Sequence, residues 1–178
     1  MKTKKAQIIL LAAFCGVVLS ADSISAGTWT YRSGVLTHGN TGWKLEAVTS
    51  GTNLTVTGIS EWPSLPSLAL PLGDAVSGGY RIAGIGDGAF HGCINVTDVT
   101  FPSGMTVIGD GAFARCNGLT DVALQEGVAV IGKEAFAGCD HLTSVMLPDG
   151  VAVIGKDAFA SCHRLTKRDV FRRRCHHR

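Results

Sequence analysis

A chain of 178 residues allows one or two domains and can bury a sizeable core. Its formal net charge of +2 hides two regions: residues 27–166 carry seven Lys/Arg against twelve Asp/Glu, and residues 167–178 carry six against one. An acidic body of this size argues against nucleic acid as the main partner.

Residues 1–26 read as a signal peptide rather than as fold. Lys2, Lys4 and Lys5 form a basic start, and residues 8–19 are apolar but too short to span a bilayer. Small residues follow, with cleavage expected after Ser23 or Ala26. An uncleaved anchor is the alternative. Cys15 invites a lipoprotein reading, but Phe14 stands where a small residue is wanted. No transmembrane segment is expected once the signal is removed.

Residues 27–64 read as a β-rich N-terminal cap. Trp29, Tyr31 and Trp43 lie in segments with strand character, as does Leu54-Thr55-Val56-Thr57, and Gly39-Asn40-Thr41-Gly42 and Ser50-Gly51 read as turns. All three tryptophans, Trp29, Trp43 and Trp62, precede the repeats. They either belong to a cap over the open apolar end of a repeat stack or form an aromatic ligand surface. A terminal coil without a cap would present its core to water. Residues 65–84 read as a degenerate first repeat, with Pro71 ending a short strand and Ser77-Gly78-Gly79 forming an irregular loop.

Residues 85–166 carry a motif written four times at a spacing of 23: Ile85-Gly86-Asp87-Gly88-Ala89-Phe90 returns at Ile108, Ile131 and Ile154, and each copy then reaches a cysteine, Cys93, Cys116, Cys139 or Cys162. The apolar columns include Val96/Leu119/Leu142/Leu165, Val99/Val122/Val145, Phe101/Leu124/Leu147, Met105/Val128/Val151 and Val107/Val130/Val153. A fixed period of this kind marks a solenoid, because one unit cannot bury its own apolar side and stacked units can. Strands of successive coils then lie roughly 4.8 Å apart in a parallel sheet. The Gly86/Gly109/Gly132/Gly155 column marks either positive φ or close packing. The recurring Ala-Phe pair reads as a core plug.

The segments Leu-x-x-Val-x-Leu-Pro and Val-x-x-Ile-Gly-x-x-Ala-Phe, with the following Cys, resemble the 23-residue treponemal, BspA-like class of leucine-rich repeat. The likeness covers 85–166 and extends upstream through Leu70-Pro71 and Gly79-Tyr80-Arg81-Ile82. The fold class expected is therefore a leucine-rich repeat solenoid, short parallel strands joined by irregular or short helical turns. The resemblance implies an exported bacterial protein of the surface or periplasm that binds proteins or host components, adhesin-like in some members, with no catalytic residues.

The pattern breaks after Thr166. The Val99 column would continue at Arg168, and only Val170 keeps an apolar place. The basic residues Lys167, Arg168, Arg172, Arg173, Arg174 and Arg178 are not expected to pack as another coil, since that would bury unpaired charge. Three readings of 167–178 compete: a solvated tail, the product of a truncated or frame-altered gene, or a polyanion-binding tail contacting its ligand through those six residues.

The repeat cysteines invite a disulfide or metal reading. A common period points them all one way, however, with Cβ atoms too far apart for a disulfide and no convergence on a metal. Buried thiols with weak hydrogen bonding are expected. Cys175 is unpaired and able to link two chains. His91, His141 and His163 fall in three different columns. No phosphate loop, nucleophile elbow or zinc-protease motif is present. No enzyme activity, cofactor or metal is expected.

What remains is surface. Asp98, Thr100, Asp121, Ala123, Ser144 and Met146 are the outward strand positions and the candidate partner-binding surface; Asp87, Asp110, Lys133 and Lys156 run from acidic to basic beside them. The expected partner is a protein or extracellular-matrix ligand, and the expected location is periplasm, cell surface or secreted. A periplasmic structural or assembly scaffold is the alternative. The uncapped C-terminal repeat suggests self-association or a missing remainder of the chain.

Overall fold

The structure, a computed structural model, describes residues 28–39, 41–61, 68–73, 75–165 and 170–172. The expected signal segment, Trp62, Cys175 and the tail residues Lys167, Arg168, Arg173, Arg174 and Arg178 lie outside them.

Four strands open the described chain: β1 (Trp29–Arg32), β2 (Val35–His38), β3 (Lys44–Ser50) and β4 (Asn53–Glu61). They pair antiparallel in sequence order, as turn signals at Ser33-Gly34 and Ser50-Gly51 dictate. Alternation then sets the faces. Leu36, Leu45, Ala47, Leu54 and Val56 point inward, while Glu46, Val48 and Thr57 point out.

β5 (Leu68–Leu70) and a single 3-10 turn at Ser77–Gly79 lead into β6 (Arg81–Ile85). The repeats come next. β7 (Val96–Val99), β9 (Asp121–Ala123) and β11 (Ser144–Leu147) form one column of strands; β8 (Val107–Ile108), β10 (Val130–Ile131) and β12 (Val153–Ile154) form the other. On the second column, Gly84 pairs with Val107, Val107 with Val130 and Val130 with Val153, all parallel. β4 pairs parallel with β6, so the antiparallel strands and the repeats share one eight-stranded sheet ordered β1-β2-β3-β4-β6-β8-β10-β12. The β7 column is made of a β5-β7 ladder and a β9-β11 ladder.

Between the two strand columns, each Gly-x-x-Ala-Phe segment forms a turn. The phenylalanine rings stack coil on coil: Phe90, Phe113, Phe136 and Phe159 have successive centroids 5.0, 5.3 and 5.4 Å apart, with planes within 12°. Phe90, Phe113 and Phe136 are fully buried and Phe159 is half-buried. The aromatic stripe is core, as its recurrence once per coil requires.

The glycine column is explained by close packing. A Cβ on Gly109 would lie 2.7 Å from the Asp87 nitrogen, and one on Gly132 would lie 2.6 Å from the Asp110 nitrogen. Positive φ falls elsewhere, on Gly88, Gly111, Glu134 and Asp157 two residues later and on Gly92, Arg115, Gly138 and Ser161 before each cysteine. These two left-handed positions reverse the chain twice per turn. The repeat tolerates a side chain there at modest cost, whereas a side chain in the packed column meets backbone.

Two sequence expectations are corrected. The Val107/Val130/Val153 column does not enter the core. It alternates with the buried Ile85/Ile108/Ile131 column, so Val107 and Val153 are 41% and 51% exposed. Nor does the strand pattern stop at residue 166: β13 (Val170–Arg172) pairs parallel with β11, Val145 opposite Val170 and Leu147 opposite Arg172. The step has lengthened from 23 to 25 residues, so Val170, not Arg168, takes the place beside Val145. The two extra residues satisfy the ladder without placing Arg168 in the valine column.

Candidate partner-binding surface

The sequence places Asp98, Asp121 and Ser144 in one outward column and Thr100, Ala123 and Met146 in the next. The register agrees for β9 and β11, where Ser144 lies opposite Asp121 and Met146 opposite Ala123. Their neighbours Val99, Val122 and Val145 point inward and are buried, so the outward residues follow from strand alternation. Asp98, Thr100 and Asp121 are exposed; Ala123, Ser144 and Met146 are half-buried.

Hydrogen bonds occupy half of each carboxylate. The Thr97 hydroxyl donates to Asp98 Oδ2 at 2.8 Å. Asp121 Oδ1 accepts from the Ser144 hydroxyl and, at 3.5 Å, from that of Thr143. The Ser144 bond is the main cause holding the Asp121 carboxyl below its usual range, with Thr120 second. Asp98 and Asp121 therefore present fixed acceptors one coil apart on an exposed face. This arrangement suits a partner that brings hydrogen-bond donors or positive charge.

The charged turn residues are tied into the stack. Asp87 Oδ1 accepts the Asp110 backbone N–H at 2.8 Å, and Asp110 Oδ1 accepts the Lys133 N–H at 2.6 Å. Lys133 and Lys156 each lie near the acid that comes after them, Glu134 at 3.2 Å and Asp157 at 3.9 Å. The two aspartates are thus coil-to-coil fasteners as well as surface charges. Asp-to-Lys replacement along the column interrupts that chain of bonds.

The cysteines form a buried column. Cys116, Cys139 and Cys162 thiols donate to the carbonyls of Phe90, Phe113 and Phe136 at 3.1, 3.2 and 3.2 Å, and all four repeat thiols are free. Burial raises the Cys139 and Cys162 pKa; at Cys116 the hydrogen bond with Cys93 leads and burial comes second. Among the described residues no cluster of three or more His, Cys, Asp or Glu side chains is placed to hold a metal. The histidines stay apart, His141 Nδ1 donating to the Asn117 carbonyl at 2.6 Å and His163 lying 2.9 Å from Asp140.

One surface feature escaped the sequence reading. Val48, Thr55, Gly84, Val107, Val130 and Val153 are cross-strand partners in a single uncharged outward row over six strands. The signal was present in the 23-residue valine column, but its apolar character made it look like core.

At the N-terminal end, Trp29 and Trp43 are buried, and neither forms an open aromatic surface. Their indole N–H groups donate to the carbonyls of Pro71 and Ala69, at 2.8 and 3.1 Å. Those carbonyls flank Leu70, whose own carbonyl accepts from Thr100 on the opposite side. The indoles thus stand where a preceding coil would supply backbone donors. Among the described residues no helix is long and apolar enough to cross a membrane.

Comparison with known proteins agrees with this geometry. The profile of the BspA type leucine rich repeat region matches residues 79–172 in six copies. A leucine-rich repeat protein from Bacteroides capillosus ATCC 29799, solved by crystallography, is 28% identical with a TM-score of 0.62, over 79% of this chain and 99% of that one. A leucine rich cell surface protein from Faecalibacterium prausnitzii A2-165 shares the fold at 23% identity and a TM-score of 0.53, over 76% of this chain and 39% of that longer one. No curated protein matches.

Proposed function

The chain belongs to the BspA-type leucine-rich repeat family, and on that premise we propose that it is an exported, non-enzymatic module that binds a protein partner through the outward columns of β7, β9 and β11. The observation that carries the reading is the pair of exposed carboxylates, Asp98 and Asp121, each fixed by hydroxyl donors and set one coil apart. Thr100, Ala123, Ser144 and Met146 complete the surface with small or flexible side chains. The partner is a protein or matrix ligand with basic or donor-rich chemistry. The bacterial relatives support a surface role, and adhesion to host material is its most specific form. The buried tryptophans support reading the antiparallel strands β1 to β4 as the cap of a repeat solenoid.

Protease treatment of intact cells, with a periplasmic protein as control, tests the location. Loss of this protein with the control intact places it outside and justifies screening host and matrix proteins. Protection until the outer envelope opens retires adhesion and favours a periplasmic scaffold. In either compartment, Asp121→Arg should abolish capture of the identified partner while lowering the melting temperature only modestly, through loss of the Ser144 and Thr143 bonds. Capture that survives Asp98→Arg and Asp121→Arg together removes this face from the proposal. Retention on heparin that disappears when 167–178 is deleted would instead assign binding to the basic tail.

A further inference from the structure

Gly84, Val107, Val130 and Val153 lie opposite one another across β6, β8, β10 and β12. The three valines alternate with the inward isoleucines, and Val107, within the stack, is 41% exposed. The column before them, Ala83, Thr106, Ala129 and Ala152, is also uncharged, and none of it is buried. Two uncharged columns over four coils therefore meet water on one face of the eight-stranded sheet.

Charge borders this band. Gly109 and Gly132 stand two residues beyond Val107 and Val130, on the same side of the pleat. A Cβ on Gly109 would stand 2.5 Å from Oδ1 of Asp87, and one on Gly132 would stand 2.5 Å from Oδ1 of Asp110. Both carboxylates therefore lie at the edge of the valine face, and both residues are exposed. Lys133 and Lys156 take the same position in the next two coils and are exposed too. Their contacts to Glu134 and Asp157 are exposed ion pairs, which contribute little. Along the stack the order is acid, acid, base, base. An inverted copy reads base, base, acid, acid, so the row is complementary to itself.

We propose that this face pairs with the same face of a second copy, about a two-fold axis that runs parallel to the strands between β8 and β10. Such an axis inverts the stack and keeps turn column beside turn column. Val107 then meets Val130, Asp110 faces Lys133 and Asp87 faces Lys156, each twice over. Val153 faces Gly84, where the missing side chain leaves a notch. A Cβ there would lie 3.5 Å from the Val107 carbonyl and 3.6 Å from Thr55 Oγ1. Moving the axis by one coil sets Asp87 against Asp110, or Lys133 against Lys156. Charge thus selects the register, and the valines supply the contact. Four strands at ~4.8 Å spacing make a patch well below the roughly 800 Å² per partner of a standard interface, so the dimer is a weak one. The outward columns of β7, β9 and β11 and the ends of the stack take no part in it.

A weak dimer needs concentration, so the test is sedimentation equilibrium of the full chain at up to about 1 mM. Reductant is present so that Cys175 does not link chains. A concentration-dependent dimer is expected, weakened severalfold by raising salt from about 0.05 to about 0.5 M. Val107→Asp sits at an exposed position, so it should keep the circular dichroism of the parent and weaken the dimer by about tenfold or more. Asp110→Lys and Lys133→Asp should each be monomeric alone. An equimolar mixture of the two should dimerise, because every facing pair is then opposite in charge. A parent that stays monomeric over the whole range overturns the proposal. A dimer that survives Val107→Asp uses another surface, such as an end of the stack, and overturns it too. A mixture no more associated than its components overturns the two-fold arrangement.

Discussion

The two ends of the repeat stack solve one problem differently. At the N-terminal end an antiparallel sheet continues the β6-β8-β10-β12 ladder through β4, and two indoles donate to the carbonyls on either side of Leu70 on the other face. At the C-terminal end, among the described residues, β13 extends only the β9-β11 ladder, which leaves β12 at a sheet edge and the last turn's N–H groups without acceptors. A coil's stability therefore depends on position as well as sequence, since each coil is buried by its two neighbours.

The largest test of that difference uses one substitution at two places. Phe136→Ala removes a ring stacked on both sides and should cost about 3–5 kcal/mol in urea unfolding. Phe159→Ala removes a half-buried ring stacked on one side and should cost about half as much. Equal losses would mean that the end coil is covered as well as the middle ones.

The packed glycines sharpen the same contrast. Gly132→Ala forces a methyl against the Asp110 backbone and should destabilise by about 1–3 kcal/mol. Gly86 faces β4 instead of another turn, and its added Cβ would meet the Val56 carbonyl at 3.2 Å. Gly86→Ala should therefore cost less than about 1 kcal/mol, because a few tenths of an ångström of movement accommodate it.

At the N-terminal end, Trp43→Phe keeps an aromatic ring but removes the donor to Ala69 and the second ring of a fully buried indole. The stranded carbonyl and the space left by the smaller ring should together lower stability by about 2–4 kcal/mol. A value near zero would show that water replaces the indole and that this end is loosely packed.

Much of this contrast was legible in the residues. Four copies in fixed register identified the inward columns, the phenylalanine core and the free thiols. A side chain that recurs at one coil position must meet its own copy there. What the period could not reveal was direction. The valine at 107, 130 and 153 repeats as faithfully as the isoleucine beside it, and only pleating separates core from surface. The lengthened step to Val170 was equally hidden, because column counting assumes 23 residues where the ladder accepts 25. Asp98 and Asp121 were found as outward residues, but not their hydroxyl partners, which lie on neighbouring positions or the next coil. The Asp157, Phe159 and Ser161 N–H groups, which have no acceptor among the described residues, carry no side-chain signature, since backbone polarity is independent of residue type.

The cysteine column gives the finest reading of the two ends. All three thiols with resolved shifts are raised, so the folded state holds protons that the unfolded chain releases above about pH 8.5. Their contribution to stability is complete below that value and is lost as pH rises towards the folded pKa. The melting temperature should accordingly fall on the alkaline side, with a shallower slope in Cys139→Ala than in the parent. Alkylation needs the thiolate, so native labelling at mildly alkaline pH should be slow throughout. Cys162 is 8% exposed and, among the described residues, has no coil beyond it in the turn column, whereas Cys116 and Cys139 are fully buried. Mass spectrometry should find Cys162 modified first, by opening of the last coil alone, with Cys116 and Cys139 reacting only at the rate of wider unfolding. Simultaneous modification of all three would show that the stack opens as one unit, and that the open end is no weaker than its middle.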